Sequence, residues 1–133
     1  MERALKSLVL IRAKHLAESV TTPMFIIDND GNMIFFNEAA EVKVGRAFAD
    51  VGQIPVAEWQ EQFKVRELDD TPAPLESMPG WFQLQKERPG LGELMFTTFD
   101  GRDLRIAVCA LPLFSGEDQF EGALVLFWED GEG

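Results

Sequence analysis

Residues 25 to 40 read Phe25-Ile26-Ile27-Asp28-Asn29-Asp30-Gly31-Asn32-Met33-Ile34-Phe35-Phe36-Asn37-Glu38-Ala39-Ala40. Two apolar runs flank five residues that favour turns or accept a positive φ, which is the pattern of a β-hairpin. Asn37 then stands where a helix N-cap belongs, and Glu38 and Glu41 complement the positive end of that helix. Upstream, Thr21-Thr22-Pro23 interrupts any helix, because proline has no amide to donate and pushes its predecessor out of helical geometry. The first twenty residues therefore form a helix of their own. Leu5, Leu8, Val9, Leu16 and Val20 fall near one face of it, and Arg12 and His15 interrupt the stripe.

Downstream the pattern is weaker until residue 71. Val56 to Phe63 has the spacing of a short amphipathic helix, and Lys64 to Leu68 is compatible with an extended segment. Thr71-Pro72-Ala73-Pro74 is a stiff turn. Pro79 suits the first turn of a helix that carries Trp81, Phe82 and Leu84 toward Glu87 and is ended by Pro89-Gly90. Three strands follow, Glu93 to Phe99, Leu104 to Leu113 and Gly122 to Trp128. They are separated by Asp100-Gly101-Arg102-Asp103 and Ser115-Gly116-Glu117-Asp118. The order of elements predicts an α+β domain with a five-stranded antiparallel sheet, spanning residues 21–130. Residues 1–20 add a helix that caps the sheet or contributes to a dimer.

Composition narrows the function classes. A chain of 133 residues fits one domain. Its formal charge of −11 repels phosphate backbones and anionic headgroups, which argues against nucleic-acid and membrane partners. No apolar run approaches the roughly 20 residues of a membrane span, and no signal-peptide core opens the chain, so a cytoplasmic location is expected. The single cysteine, Cys109, forms neither an internal disulfide nor a multi-cysteine metal site, and no tyrosine is present to act as a phenolic acid.

The hairpin segment 25–40 resembles the PAS family. So do Pro74-Leu75-Glu76 through Pro79 with Arg88-Pro89-Gly90, Phe99-Asp100-Gly101-Arg102, Ala110-Leu111-Pro112-Leu113, and Gly122-Ala123-Leu124-Val125-Leu126-Phe127. The resemblance covers roughly residues 17 to 130, as an ordered set of short motifs. It implies a curved sheet with helices over one face and a cavity between them, in a domain that senses small molecules, light, redox state or oxygen, or mediates dimerisation. The cavity-facing residues it implies are Phe25, Ile27, Met33, Phe35, Leu94, Phe96, Ile106, Val108, Ala110, Val125 and Phe127, with Trp81 and Leu84 from the helix after Pro79. These strand residues alternate at the period of two that a pleated strand imposes. Nearly all are apolar, so the expected ligand is small and mostly apolar or aromatic, with only Thr98, the backbone and helix residues to offer polar contacts. The plainer interpretation is that the same side chains simply fill the core.

The opposite face carries Met24, Ile26, Ile34, Phe36, Cys109, Leu111, Leu124, Leu126 and Trp128, nearly as apolar as the inner set. Strands apolar on both faces are covered on both, here by the N-terminal helix, by a second subunit in a homodimer, or by both.

The remaining candidate residues have structural explanations. His15 is in the first helix, whereas haem-binding PAS relatives place their iron ligand beside the pocket. Cys109 lies mid-strand, facing away from the cavity as a buried, inert thiol, and the helical Asn-Cys-Arg-Phe-like motif of the family's flavin photosensors is absent; neither haem nor flavin is expected. Trp59, Trp81 and Phe82 are core anchors or an aromatic lid. Asp28, Asp30 and Asp100 beside Asn and Gly are turn formers, with no calcium-loop spacing around them. The expected function is a non-catalytic sensory or regulatory module that binds a ligand and signals through dimer contacts. The alternatives are a pure dimerisation or interaction module with a filled core and, remotely, a small cone-like isomerase, which lacks an evident buried acid or base. The chain is either a stand-alone regulator or a piece of a larger protein.

Overall fold

The computed structural model describes residues 8–71, 90–116 and 119–129. Within these, α1 (Leu8–Glu18) leads into β1 (Met24–Asp28) and β2 (Asn32–Phe36), followed by α2 (Glu38–Val44), α3 (Phe48–Val51), β3 (Ile54–Pro55) and α4 (Val56–Gln62). The long strands β4 (Gly90–Thr97), β5 (Asp103–Ser115) and β6 (Gln119–Glu129) complete the chain. The helix expected from Pro79 to Glu87, the turn at Pro72 to Pro74 and Glu117-Asp118 lie outside the described residues.

The sheet is antiparallel in the order β3-β2-β1-β6-β5-β4, six strands where five were expected. The extra strand, β3, is two residues long, too short to carry any alternation, and it pairs Ile54 and Pro55 with Met33 and Asn32. Pro55 needs no ladder donor at that edge. Residues 64 to 68 contribute a single bridge, in which Arg66 and Met95 exchange amide and carbonyl at 2.9 Å in both directions.

The hairpin forms for the reason its sequence indicates. The carboxylate of Asp28 accepts the amides of Asp30 at 2.9 Å and Asn32 at 3.0 Å, while Gly31 takes φ 87°. One feature departs from simple alternation. Ile27 pairs with Met33 but Ile26 pairs with Phe35, so Ile34 and Phe35 both stand opposite one residue in a β-bulge. Beyond an inserted residue the parity of the strand inverts. Phe36 therefore joins the inner core and Phe35 turns outward beneath α1, with Lys14 Nζ 5.2 Å from its ring centre. The assignment of Phe35 to the cavity, and of Phe36 to the outer face, is corrected accordingly.

Two apolar cores flank the sheet. On the outer side Leu10, Ala13 and Ala17 of α1 pack on Met24, Ile26, Ile34 and Leu124. The face anticipated for this helix is not the one it buries, for Leu8 is 60% and Leu16 52% exposed. The small side chains of Ala13 and Ala17 let the helix backbone approach the sheet, which a stripe of leucines would prevent. Asn37 ties this layer to the rest. Its Oδ1 accepts the amides of Met24 and Ala40, both at 3.0 Å, and its Nδ2 donates to Ala17 O at 2.9 Å and Thr22 O at 3.0 Å. One buried side chain thus caps α2, starts β1 and holds the end of α1.

Candidate ligand-binding site

The inner face of the sheet is aromatic at its centre. Phe25 from β1, Phe127 from β6 and Phe96 from β4 meet Trp59 of α4 and Phe63, the residue that ends α4. Their rings close a circuit: Phe25 to Trp59 at 5.2 Å between centroids, Trp59 to Phe63 at 5.1 Å, Phe63 to Phe96 at 6.3 Å, Phe96 to Phe127 at 6.1 Å, and Phe127 to Phe25 at 6.2 Å. The tilted and edge-to-face angles are those aromatic quadrupoles prefer.

Aliphatic side chains surround this circuit. Ile27, Met33, Leu94, Ile106, Val108, Ala110 and Val125 are buried in the same cluster. The β5–β6 ladder sets Val108 opposite Phe127 and Ala110 opposite Val125, so the four side chains share a face by register. Nine of the strand residues expected at the cavity, together with Leu94, are therefore brought together, and Phe35 is not. Trp81 and Leu84 lie outside the described residues.

From sequence, Trp59 reads as a core anchor or an aromatic lid, and Phe63 is not assigned to the site. Trp59 and Phe63 are four residues apart, so a helix over 56–63 stacks them on one side, and that spacing was the available signal. Phe36 reaches the same cluster only through the bulge, which no local pattern announced. It meets Phe48 edge-on at 5.2 Å, and Phe48 also touches Phe35 at 5.4 Å.

Among the described residues, the buried polar side chains are committed elsewhere, with one exception. The Thr98 hydroxyl, expected to face a ligand, instead donates to the carboxylate of Asp100 and accepts the Arg102 amide at 2.8 Å, closing the β4–β5 turn. That bond, and then Arg102, hold the Asp100 carboxyl below its ordinary range. Asp103 is lowered in the same way by the Thr97 hydroxyl and next by Arg66. Both carboxylates are exposed, Asp100 in the β4–β5 turn and Asp103 at the start of β5, and neither belongs to the inner cluster. The exception is Trp59, 6% exposed, whose buried Nε1 finds no acceptor.

His15 is exposed on α1. Cys109 pairs with Leu126 on the outer face and is half-buried rather than sealed. Among the described residues no group of three His, Cys, Asp or Glu side chains is arranged to hold a metal ion, and no helix is long and apolar enough to cross a membrane.

A sheet of this order, with short helices after the hairpin, coincides with a match of residues 12–130 to the family model for the PAS fold. The chain belongs to the PAS family. Solved PAS domains share its architecture. One from Colwellia psychrerythraea superposes with a TM-score of 0.65 at 17% identity, covering 91% of this chain and 96% of that one. The PAS domain of BvgS from Bordetella pertussis gives 0.63 at 15% identity, covering 92% and 86%. That of nitrogen regulation protein NR(II) from Vibrio parahaemolyticus gives 0.58 at 19%, covering 93% and 99%. No curated protein matches the chain. At such identities the structures establish the PAS fold and leave the ligand to be argued from the residues of this PAS domain.

Proposed function

We propose that this PAS domain is a sensory or regulatory module, without catalytic activity, whose inner face binds a small, mostly apolar or aromatic molecule and which signals through homodimer contacts. The observation that carries the ligand class is the uncharged inner face. Phe25, Phe96, Val108, Phe127 and their buried neighbours present apolar surface, and among the described residues the one buried ionisable side chain, Asp28, is committed to the hairpin turn. A charged ligand would be desolvated there without compensation. The contact set proposed is Phe25, Ile27, Met33, Phe96, Ile106, Val108, Ala110, Val125 and Phe127, with Trp59 added, Phe35 removed, and Trp81 and Leu84 retained from the sequence.

The outer face supports the dimer. Alongside α1, which covers Met24, Ile26 and Ile34, the same face leaves Leu111 and Trp128 more than a third exposed, and α1 itself exposes Leu8 and Leu16. Apolar surface on both the helix and the sheet beside it suits a second copy of the chain. The net charge of −11 opposes nucleic-acid and anionic-membrane partners. A cytoplasmic location belongs to the same proposal. Neither haem nor flavin is proposed, since the single histidine is on the exposed side of α1 and the single cysteine on the outer face.

A second reading, an interaction module with a filled core, is favoured by one specific observation: the five rings already touch one another. Native mass spectrometry with an absorption spectrum of the purified protein tests both. The sensory reading expects a dimer carrying added small-molecule mass, with no band near about 400 or 450 nm, where haem and flavin absorb. A dimer at bare chain mass that takes up no aromatic probe supports the interaction module.

A further inference from the structure

Among the described residues, buried polar side chains are paired with one exception. Asp28 accepts two amides, Asn37 satisfies both ends of its amide, and Thr98 both donates and accepts. Trp59 Nε1 alone is sealed from solvent with no partner. Its ring neighbours are Phe25 and Phe63, which offer no oxygen or nitrogen side-chain acceptor. A buried donor without an acceptor loses its bonds to water and recovers nothing.

The choice of residue sharpens the point. Four of the five rings in the circuit are phenylalanines, and only the corner on α4 is an indole. Packing alone is served by Phe at the other corners; what Trp adds is a larger ring and one N–H. We propose that Trp59 Nε1–H is the hydrogen-bond donor that selects the ligand, and that the ligand is an aromatic or apolar molecule bearing a neutral acceptor, a carbonyl oxygen or a heteroaromatic nitrogen. Neutrality follows from the surroundings. A carboxylate would need a cation, and among the described residues no Lys, Arg or His side chain is buried. The inference rests on the ligand-binding reading above and specifies its chemistry.

The test uses two probes of matched size, acetophenone and ethylbenzene, titrated into ¹⁵N-labelled protein. The chain has three tryptophans, and the Trp59 indole signal is assigned by its loss in Trp59→Phe or by elimination with Trp81→Phe and Trp128→Phe. Acetophenone should bind about fivefold more tightly than ethylbenzene, as one net hydrogen bond implies. It should also move the Trp59 N–H resonance downfield, which ethylbenzene does not. Trp59→Phe should weaken acetophenone alone and make the two probes equal. Equal affinities in the wild type, or a preference that survives Trp59→Phe, overturns the proposal while leaving the ligand site standing. If neither probe binds, the ligand-binding reading fails and the proposal fails with it. Should Trp59→Phe not fold, the wild-type resonance decides: a downfield move with acetophenone only supports the assignment, and no move at saturation refutes it.

Discussion

The two faces of the sheet are built from alternate residues of the same strands, yet they are closed in different ways. On β6, Val125 and Phe127 enter an aromatic inner core capped by α4, while Leu124 and Leu126 meet the alanine face of α1. The inner core is held by large side chains touching one another. The outer one is held by a helix lying close to the sheet and by a buried asparagine, and it leaves Leu111 and Trp128 partly in water. Alternation in a strand states which residues share a face. What covers that face is decided by side-chain size and by polar groups that lock the cover in place.

Truncation should separate the two regions most sharply. Phe127→Ala removes a side chain 2% exposed that touches two other rings and is expected to cost about 3–5 kcal/mol in urea unfolding. Leu126→Ala, one residue away on the half-buried outer side, should cost about 1–2 kcal/mol, below the range for a fully buried leucine. Equal losses would mean that the outer face is as tightly packed as the inner one.

Asn37→Ala attacks the outer cover through its lock. It leaves two amides and two carbonyls without their partner, and a loss of about 3 kcal/mol is expected. Hydrogen exchange should show α1 and the start of β1 opening first, with β5 still protected. Uniform exchange across both faces would contradict the division.

The smallest effect is expected at the rim. Asp103 titrates below its ordinary range because the Thr97 hydroxyl and then Arg66 favour its charged form. A depressed folded-state value makes its contribution present above the unfolded pKa of about 3.9 and lost as pH falls through the lower folded value. Asp103→Asn should therefore be slightly less stable at pH 7 and converge with the wild type in acid. A constant difference across that range would show that the carboxylate's charge is not what ties the start of β5 to Thr97 and Arg66.

Much of this architecture is legible in the sequence itself. The Asp28 to Asn32 turn, the break at Pro23 and the three long strands each carry local chemistry that admits few alternatives. What escaped reading is non-local. The bulge that exchanges Phe35 and Phe36 arises from a two-for-one pairing across the hairpin, invisible to a period of two. The buried face of α1 is chosen by the small residues Ala13 and Ala17, where apolar bulk pointed to Leu8 and Leu16. β3 has no periodicity at two residues, and Asn37 announces its helix cap but not its bonds to Ala17 and Thr22. On the inner face, strand alternation groups the aliphatic residues that the structure buries in one cluster, while the positions of Trp59 and Phe63 depend on where α4 docks.

The central claim is that the inner face accommodates a ligand and the outer face does not, and the adjacent residues Val108 and Cys109 probe it directly. Val108 is 5% exposed within the inner cluster, and Cys109 points to the other side. The measurement is a thermal melt of wild type, Val108→Trp and Cys109→Trp, each with and without acetophenone. The account predicts a probe-induced rise in melting temperature for the wild type and for Cys109→Trp, and none for Val108→Trp, which fills the space at little cost in stability. A wild type that does not respond, together with a Val108→Trp protein destabilised by about 1–3 kcal/mol through overpacking, would contradict it and leave the interaction module with a filled core.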